Sequence, residues 1–370
     1  MQREAWIGQV LTLGVHGTAV SPELRELSEY IRPGGYIYFK RNVAEPETLR
    51  AFSDELQKLQ PEVPAFIGLD QEGGTVARLR APFTEFPGNR TLGMAYREHN
   101  STEAAERQAE VFARELQLVG CNWDFAPVLD VDSNPDNPVI GRRAFSSDPD
   151  VVARLGVAFA QSLEQHGVLS CGKHVPGHGN TRVDSHLDLP VEETSPAMLR
   201  QRELQPFAAY SRAGLAALMT AHVVYTQLDP ERPATLSPRI IQELVRGELD
   251  FRGLVVTDDM EMKAIDDRYG IEQSTIEAVV AGCDVILICH TPEKQQRAIE
   301  ALREEDRKSR VVRNRLDQAL GRIMAAKKKF RQPAPFDPSR IATPEALRLA
   351  DQLRNIQTLA AQRDPTEYKG

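Results

Sequence analysis

The chain has 370 residues, 41% of them hydrophobic, and 45 Lys and Arg against 53 Asp and Glu give it a formal net charge of -8. That hydrophobic share builds a large core and excludes global disorder. Mild acidity spread along the whole chain offers no electrostatic footprint for nucleic acid or an anionic membrane. The expected partner is a small, uncharged molecule. No apolar run is long enough to span a bilayer, and the N-terminal stretch MQREAWIGQVLTLGVHG carries Glu4 and no signal-peptide pattern, so a cytoplasmic location is expected. Cys121, Cys171, Cys283 and Cys289 each stand beside or within an apolar run, without metal spacing. They are read as buried free thiols in a reducing compartment.

In chain order the apolar runs are GQVLTLGV (8–15), GYIYFK (35–40), PAFIGLD (64–70), CNWDFAPVLD (121–130), VLSCGKH (168–174), LAALMTAHV (215–223), GLVVTDD (253–259) and CDVILIC (283–289). Near-continuous apolarity, without alternation, is the mark of parallel strands buried on both faces. Helical stretches separate them. Residues 21–31 follow a serine that can cap, 45–60 align Leu49, Phe52, Leu56 and Leu59 on one stripe, 101–120 open on Ser-Thr and close on glycine, and 147–167 repeat that pattern. Repeated strand–helix alternation predicts an α/β fold, a single (β/α)8 TIM-type barrel, with a doubly wound open sheet as the alternative. With neither internal repeat nor linker, residues 1–370 read as one domain, about 5–332 forming the barrel and 333–370 a C-terminal helical extension. The basic stretch 306–332 reads as helical with a solvated face, in preference to an anion-binding arm. A last helix capped at Thr343 is expected to pack on the barrel or on a partner.

Barrel chemistry sits at the carboxyl ends of the strands. Those ends carry His16, Lys40 and Arg41, Asp70 and Glu72, Asp130, Lys173 and His174, His222, Asp258 and Asp259, and His290. Polar groups at buried strand ends are expensive unless paired, so a ring of them marks a site, although strands also simply turn polar where they end. The segment KHVPGHGNTRVDSH (173–186) concentrates three histidines on one loop. It suits a metal held by His174, His178 and His186, a proton-transfer site or a phosphate site. The histidine spacing fits no one helix face, which weakens the metal reading, and no metal or cofactor is expected. In GLDQEGGTVARLR (68–80), Asp70, Glu72 and then Arg78 suit hydrogen bonding to sugar hydroxyls. Arg142 and Arg143, on a Pro- and Asn-rich loop, point to the same rim.

KHVPGHGNTRVDSH, LDQEGG, IGRRAF and VVTDDM together resemble glycoside hydrolase family 3, most of all its single-domain β-N-acetylhexosaminidases. The motifs run in family order from about residue 60 to 265. The resemblance implies a barrel that removes terminal β-N-acetylglucosamine with retention of configuration, muropeptides of peptidoglycan recycling being the best-known substrates. It implies Asp258 as nucleophile, His186 as proton donor with Asp184 orienting it, and Asp70, Arg78, Arg143, Lys173 and His174 as residues holding the sugar. Val175, Thr75 and Thr257 stand where the family usually has phenylalanine, arginine and serine.

The chemistry also stands on the residues. Retaining hydrolysis needs a carboxylate nucleophile and an acid that later serves as base, and a histidine titrates near the working pH. Asp184 can set the tautomer of His186. Pro176, Gly177 and Gly179 suggest a loop that closes over sugar. His178 is read as structural and Asp259 as capping the next segment, while Asp130 and His222 either line the floor or satisfy buried groups. The rivals are a β-glucosidase, a phosphorylase and a noncatalytic sugar-binding barrel. The chain is expected as a monomer or weak homo-oligomer.

Overall fold

Eight short strands run parallel in a computed structural model that describes residues 3–60, 62–181, 189–330 and 335–363. They are β1 (Leu11–Gly14), β2 (Gly35–Ile37), β3 (Phe66–Leu69), β4 (Trp123–Asp124), β5 (Cys171–Val175), β6 (Ala217–Thr220), β7 (Leu254–Asp259) and β8 (Val285–Ile288). Except between β4 and β5, each pairs with its neighbour in chain order, and β8 returns to β1 through Leu11↔Ile286, the pattern of a (β/α)8 barrel. Between β4 and β5 the ladder is broken, and the bridges Trp123↔Leu169 and Val128↔Lys173 close the ring.

That break corrects one expectation. The run 121–130 was predicted as a single strand, yet only Trp123–Asp124 is regular. Pro127 supplies no N–H to the ladder and can only accept, which its carbonyl does from Lys173 N–H at 3.1 Å. Asp130 therefore ends a short irregular segment and not a strand.

The strands are buried along their length because helices cover the outside. Only β7 changes character, passing from buried Leu254 to Thr257 into half-buried Asp258 and Asp259. Helix starts follow local chemistry. Ser21 accepts from Leu24 N–H at 3.1 Å to open Pro22–Ile31, and Ser101, not Thr102, accepts from Glu103 N–H at 3.2 Å before Glu103–Leu118. The final helix, Pro344–Arg363, packs on the chain's own helices Asn89–His99 and Glu103–Leu118. All four cysteines are free and buried.

The basic stretch 306–332 is helical with a largely solvated basic face, on which Arg307, Lys308, Arg310, Arg313, Lys328 and Lys329 are exposed. Ser309 separates Pro292–Lys308 from Arg310–Lys327, capping the second through Val312 N–H at 3.3 Å. Two of its cations turn inward. Lys327 is buried and donates to Gln9 Oε1 and Gly34 O at 2.8 Å each, below the starts of β1 and β2. Burial pulls its ammonium down to about 7. Arg322 donates to Asp284 Oδ1 at 2.8 Å.

Asp284 stands just before β8 and also accepts from Arg246 Nη2 at 2.5 Å and Val255 N–H at 2.9 Å, tying helix, floor and two strands together. Truncating one partner of such a buried pair leaves the other charge uncompensated. Asp284→Ala is expected to lose about 3–5 kcal/mol of stability. Urea unfolding measures the loss, and turnover per folded molecule stays near wild type because the carboxylate lies at the end opposite the site.

Candidate active site

The carboxyl ends of the strands open on a cavity of about 420 Å3, within the range of small-molecule sites. A cavity of similar size, about 400 Å3, lies at the opposite end between Leu169, Leu215, Gly253 and Arg322; it holds none of the strand-end carboxylates, and the carboxylate that lines it is Asp250 of a surface turn. The chemistry gathers at the first.

One wall is a lattice of ions. Asp70 follows β3; its Oδ1 accepts from Lys173 Nζ at 2.8 Å and its Oδ2 from Arg78 Nη2 at 2.7 Å. Lys173, in β5, also lies 2.6 Å from Glu72 Oε1. Arg143 meets Glu72 through two parallel bonds, Nε to Oε2 at 3.0 Å and Nη2 to Oε1 at 2.8 Å. Burial alone would push the Asp70 and Glu72 carboxyls up, but the neighbouring cations hold both below the ordinary carboxylate range. Asp124 has no cation in contact among the described residues, and burial raises its carboxyl well above that range; its Oδ1 accepts from Gln71 N–H at 2.9 Å.

A second group fixes His174. Its Nδ1 lies 2.7 Å from Asp130 Oδ2, while Asp130 Oδ1 accepts the backbone N–H of His174 at 3.1 Å and of His178 at 2.7 Å. A carboxylate there assigns the proton to Nδ1 and leaves Nε2 for the cavity. His178 is buried, its Nδ1 2.7 Å from Thr181 Oγ1, and burial pulls its imidazole down to about 4. The structural reading of His178 holds, and Asp130 satisfies buried groups.

The glycines of this loop serve close approach. A Cβ on Gly179 would lie 1.7 Å from Val131 O, and Gly177 has φ +131 against the Glu203 side chain. Tyr225 Oη donates to Gly177 O at 2.6 Å, and Asn137 Nδ2 donates to His178 O at 2.9 Å. This part of the loop is fastened to the barrel, and its glycines allow that close packing.

Asp258 and Asp259 end β7 with different surroundings. Both Asp259 oxygens are engaged, Oδ1 by Glu261 N–H at 3.1 Å and Cys289 N–H at 3.2 Å, Oδ2 by His290 Nε2 at 3.1 Å. Asp258 Oδ1 accepts only the adjacent Asp259 N–H, at 2.8 Å, and no ion pair to Asp258 forms among the described residues. Burial raises the Asp258 carboxyl, yet the nearby His174 and His222 bring it below its ordinary value. His222 Nε2 lies 3.0 Å from Asp259 O and its Nδ1 2.7 Å from Thr235 Oγ1.

The structure thus brings Asp70, Arg78, Arg143, Lys173, His174 and Asp258 to one cavity. Asp184 and His186 lie outside the described residues. Arg142 is exposed and does not line the cavity, and Arg41 is spent on Val15 O at 2.9 Å and Cys289 O at 2.5 Å. His16 Nε2 rests 2.6 Å from His290 O. Sequence reasoning missed the Asp130–His174 pair, whose members are 44 residues apart, and the buried acid Asp124.

A parallel barrel whose charged strand ends surround one ligand-sized cavity defines the class: a (β/α)8-barrel enzyme for a small polar molecule. The family model for the glycosyl hydrolase family 3 N-terminal domain matches residues 4–326. A beta-hexosaminidase from Thiobacillus denitrificans is 36% identical over 369 residues, covering 97% of this chain and 98% of that protein. A glycoside hydrolase family 3 beta-N-acetylglucosaminidase from Paenibacillus sp. superposes with a TM-score of 0.91 at 38% identity, over 96% of this chain and 69% of that one. NagZ from Neisseria gonorrhoeae, in complex with N-trifluoroacetyl-D-glucosamine, superposes with a TM-score of 0.80 at 30% identity, over 94% and 97%. The chain belongs to glycosyl hydrolase family 3 and is a glycoside hydrolase.

The lattice makes a pH prediction. Asp70, Glu72, Asp130 and Asp258 all have lowered pKa values in the fold, so their contribution is complete above the unfolded values of about 4 and is lost as pH falls through the folded ones. His178, neutral in the fold, adds a loss that begins as pH drops below its ordinary 6.5. Urea midpoints should therefore decline below that value and steepen below about 4, and Asp70→Asn should lower the neutral-pH midpoint and make the acid limb shallower. Equal acid slopes in wild type and variant would contradict this.

Proposed function

We propose that this chain hydrolyses terminal β-linked N-acetylglucosamine from small glycosides with retention of configuration, through a covalent glycosyl–Asp258 intermediate. The observation that carries the reading is the contrast at the end of β7. Asp259 has both oxygens committed, whereas Asp258, ionised and lining the cavity, keeps one oxygen unengaged among the described residues. A nucleophile needs that freedom and that charge.

In the first step Asp258 attacks the anomeric carbon while His186, oriented by Asp184, protonates the leaving oxygen. In the second, His186 takes a proton from water, which attacks the same carbon and releases Asp258. Both residues of this pair come to the reading from their places in the DSH triplet. Asp70, Lys173, Arg78, Arg143 and His174 receive the sugar. Each Asp70 oxygen, although ion-paired, retains a lone pair for a hydroxyl. The relatives named beta-hexosaminidase and beta-N-acetylglucosaminidase support the sugar, and the N-trifluoroacetyl-D-glucosamine complex of the Neisseria protein supports the acylamino group. By the same resemblance the natural substrates are peptidoglycan fragments handled in the cytoplasm.

Turnover of 4-nitrophenyl N-acetyl-β-glucosaminide, with the β-glucoside as comparison and with and without phosphate, tests this. Asp258→Ala should lose on the order of 10^4-fold or more in kcat, and His186→Ala about 10^2- to 10^4-fold. Preferred glucoside turnover would overturn the sugar assignment, and a sugar 1-phosphate product the hydrolytic one. Because Asp258 stays ionised below the ordinary carboxylate range, the acid limb of kcat/KM should lie below about 4. An acid limb well above that value would mean another group titrates.

A further inference from the structure

We infer that Glu72 is a positioning residue of the sugar subsite, a buried carboxylate that does not meet the ligand but holds Arg143 and Lys173 in register for it. The inference rests on the reading of the cavity as the sugar site. Glu72 follows Asp70 by two positions, and the sequence suggested both as partners of sugar hydroxyls. The structure separates them. Asp70 lines the cavity; Glu72 does not, and its side chain is 0% exposed. Its oxygens go to Arg143 Nε and Nη2 and to Lys173 Nζ, at 3.0, 2.8 and 2.6 Å.

The two cations it holds are otherwise weakly fixed. Arg143 ends the three-residue turn Gly141–Arg143 in an irregular loop, and apart from Glu72 its side chain meets, among the described residues, only Val139 O, at 3.3 Å. The two parallel bonds to Glu72 set the plane of the guanidinium as well as its place. Lys173 has a long flexible stem, and Asp70 alone would draw it toward Arg78. Asp70 and Glu72 on either side suspend the ammonium between them. Removing one buried charge unbalances the whole set, since Lys173 and Arg143 then repel each other at a buried place where solvent screens them weakly. The charged and titratable groups around Lys173 are Asp70, Glu72, Arg143, Asp124, Cys171 and Asp258. Burial would lower the Lys173 ammonium, and the Asp70 and Glu72 carboxylates more than reverse this.

The test uses the full chain with Glu72→Gln, which keeps shape and loses charge, and Glu72→Asp, which keeps charge and shortens the reach. For each, kcat and KM for 4-nitrophenyl N-acetyl-β-glucosaminide are measured from about pH 5 to about pH 10. Glu72→Gln should lower kcat/KM about 10^2-fold, chiefly through KM. Its KM should climb further at the alkaline end of that range, because Lys173 loses one of the carboxylates that keep it charged. Glu72→Asp should raise KM evenly across the range, and it decides the matter should the glutamine variant not fold. Wild-type KM in Glu72→Asp overturns the inference. So does a Glu72→Gln enzyme that is less stable but has wild-type KM and pH profile, since that is a structural role alone. A wild-type protein that neither cleaves the glycoside nor binds N-acetylglucosamine removes the sugar-site reading and this inference together; wild-type activity beside an unaltered Glu72→Gln enzyme removes this inference alone.

Discussion

Lys173 carries its ammonium into the end of a buried strand, where its side chain is 2% exposed. Taking such an ion out of water costs several kcal/mol, a penalty that only close, well-formed partners offset. Asp70 and Glu72 are those partners, and each in turn needs a second cation, Arg78 and Arg143. The loops after β3 and β4 are thereby drawn over β5, and the wall of the cavity follows from neutralising one charge. Asp124 lies next to this group, and burial raises its carboxyl well above the ordinary carboxylate range. The result is a rigid set of donors and acceptors facing a space that takes a neutral, hydroxyl-rich ligand.

Across the cavity, β7 solves a different problem. A nucleophilic carboxylate must be charged yet not consumed by hydrogen bonds. Asp259 absorbs the donors that converge on the strand end, those of Glu261, Cys289 and His290. His222 braces the same point through Asp259 O, and Thr257 Oγ1 accepts Leu287 N–H at 3.0 Å to tie β7 to β8. Asp258 is held charged by the field of His174, His222 and Lys173, without an ion pair.

The eight strands were legible because parallel strands buried on both faces must be apolar throughout, and this chain has eight such runs. Pro127 was visible too, but its effect on the ladder depended on which neighbour sought its N–H. The strand-end residues of the site were legible as a set, since charged groups after apolar runs are conspicuous. Their individual roles were not. The pairing of Asp130 with His174 depends on β4 and β5 being adjacent, and the commitment of Asp259 depends on backbone groups of Cys289 and Glu261. Glu72 and Asp70 look alike in the sequence and differ only in which faces the cavity. Lys327 looked like part of a solvated basic face until its contacts with Gln9 and Gly34 placed it beneath the barrel. Asp184 and His186 owe their roles to the motif resemblance.

The most direct test of the account is to trap the glycosyl-enzyme with 5-fluoro-N-acetylglucosaminyl fluoride and map the adduct by mass spectrometry. The tryptic peptide from Gly253 to Lys263 contains both Asp258 and Asp259, and fragmentation distinguishes them. The account predicts one sugar on Asp258. An adduct on Asp259 or on another peptide, or full turnover of the substrate without any covalent species, would contradict it.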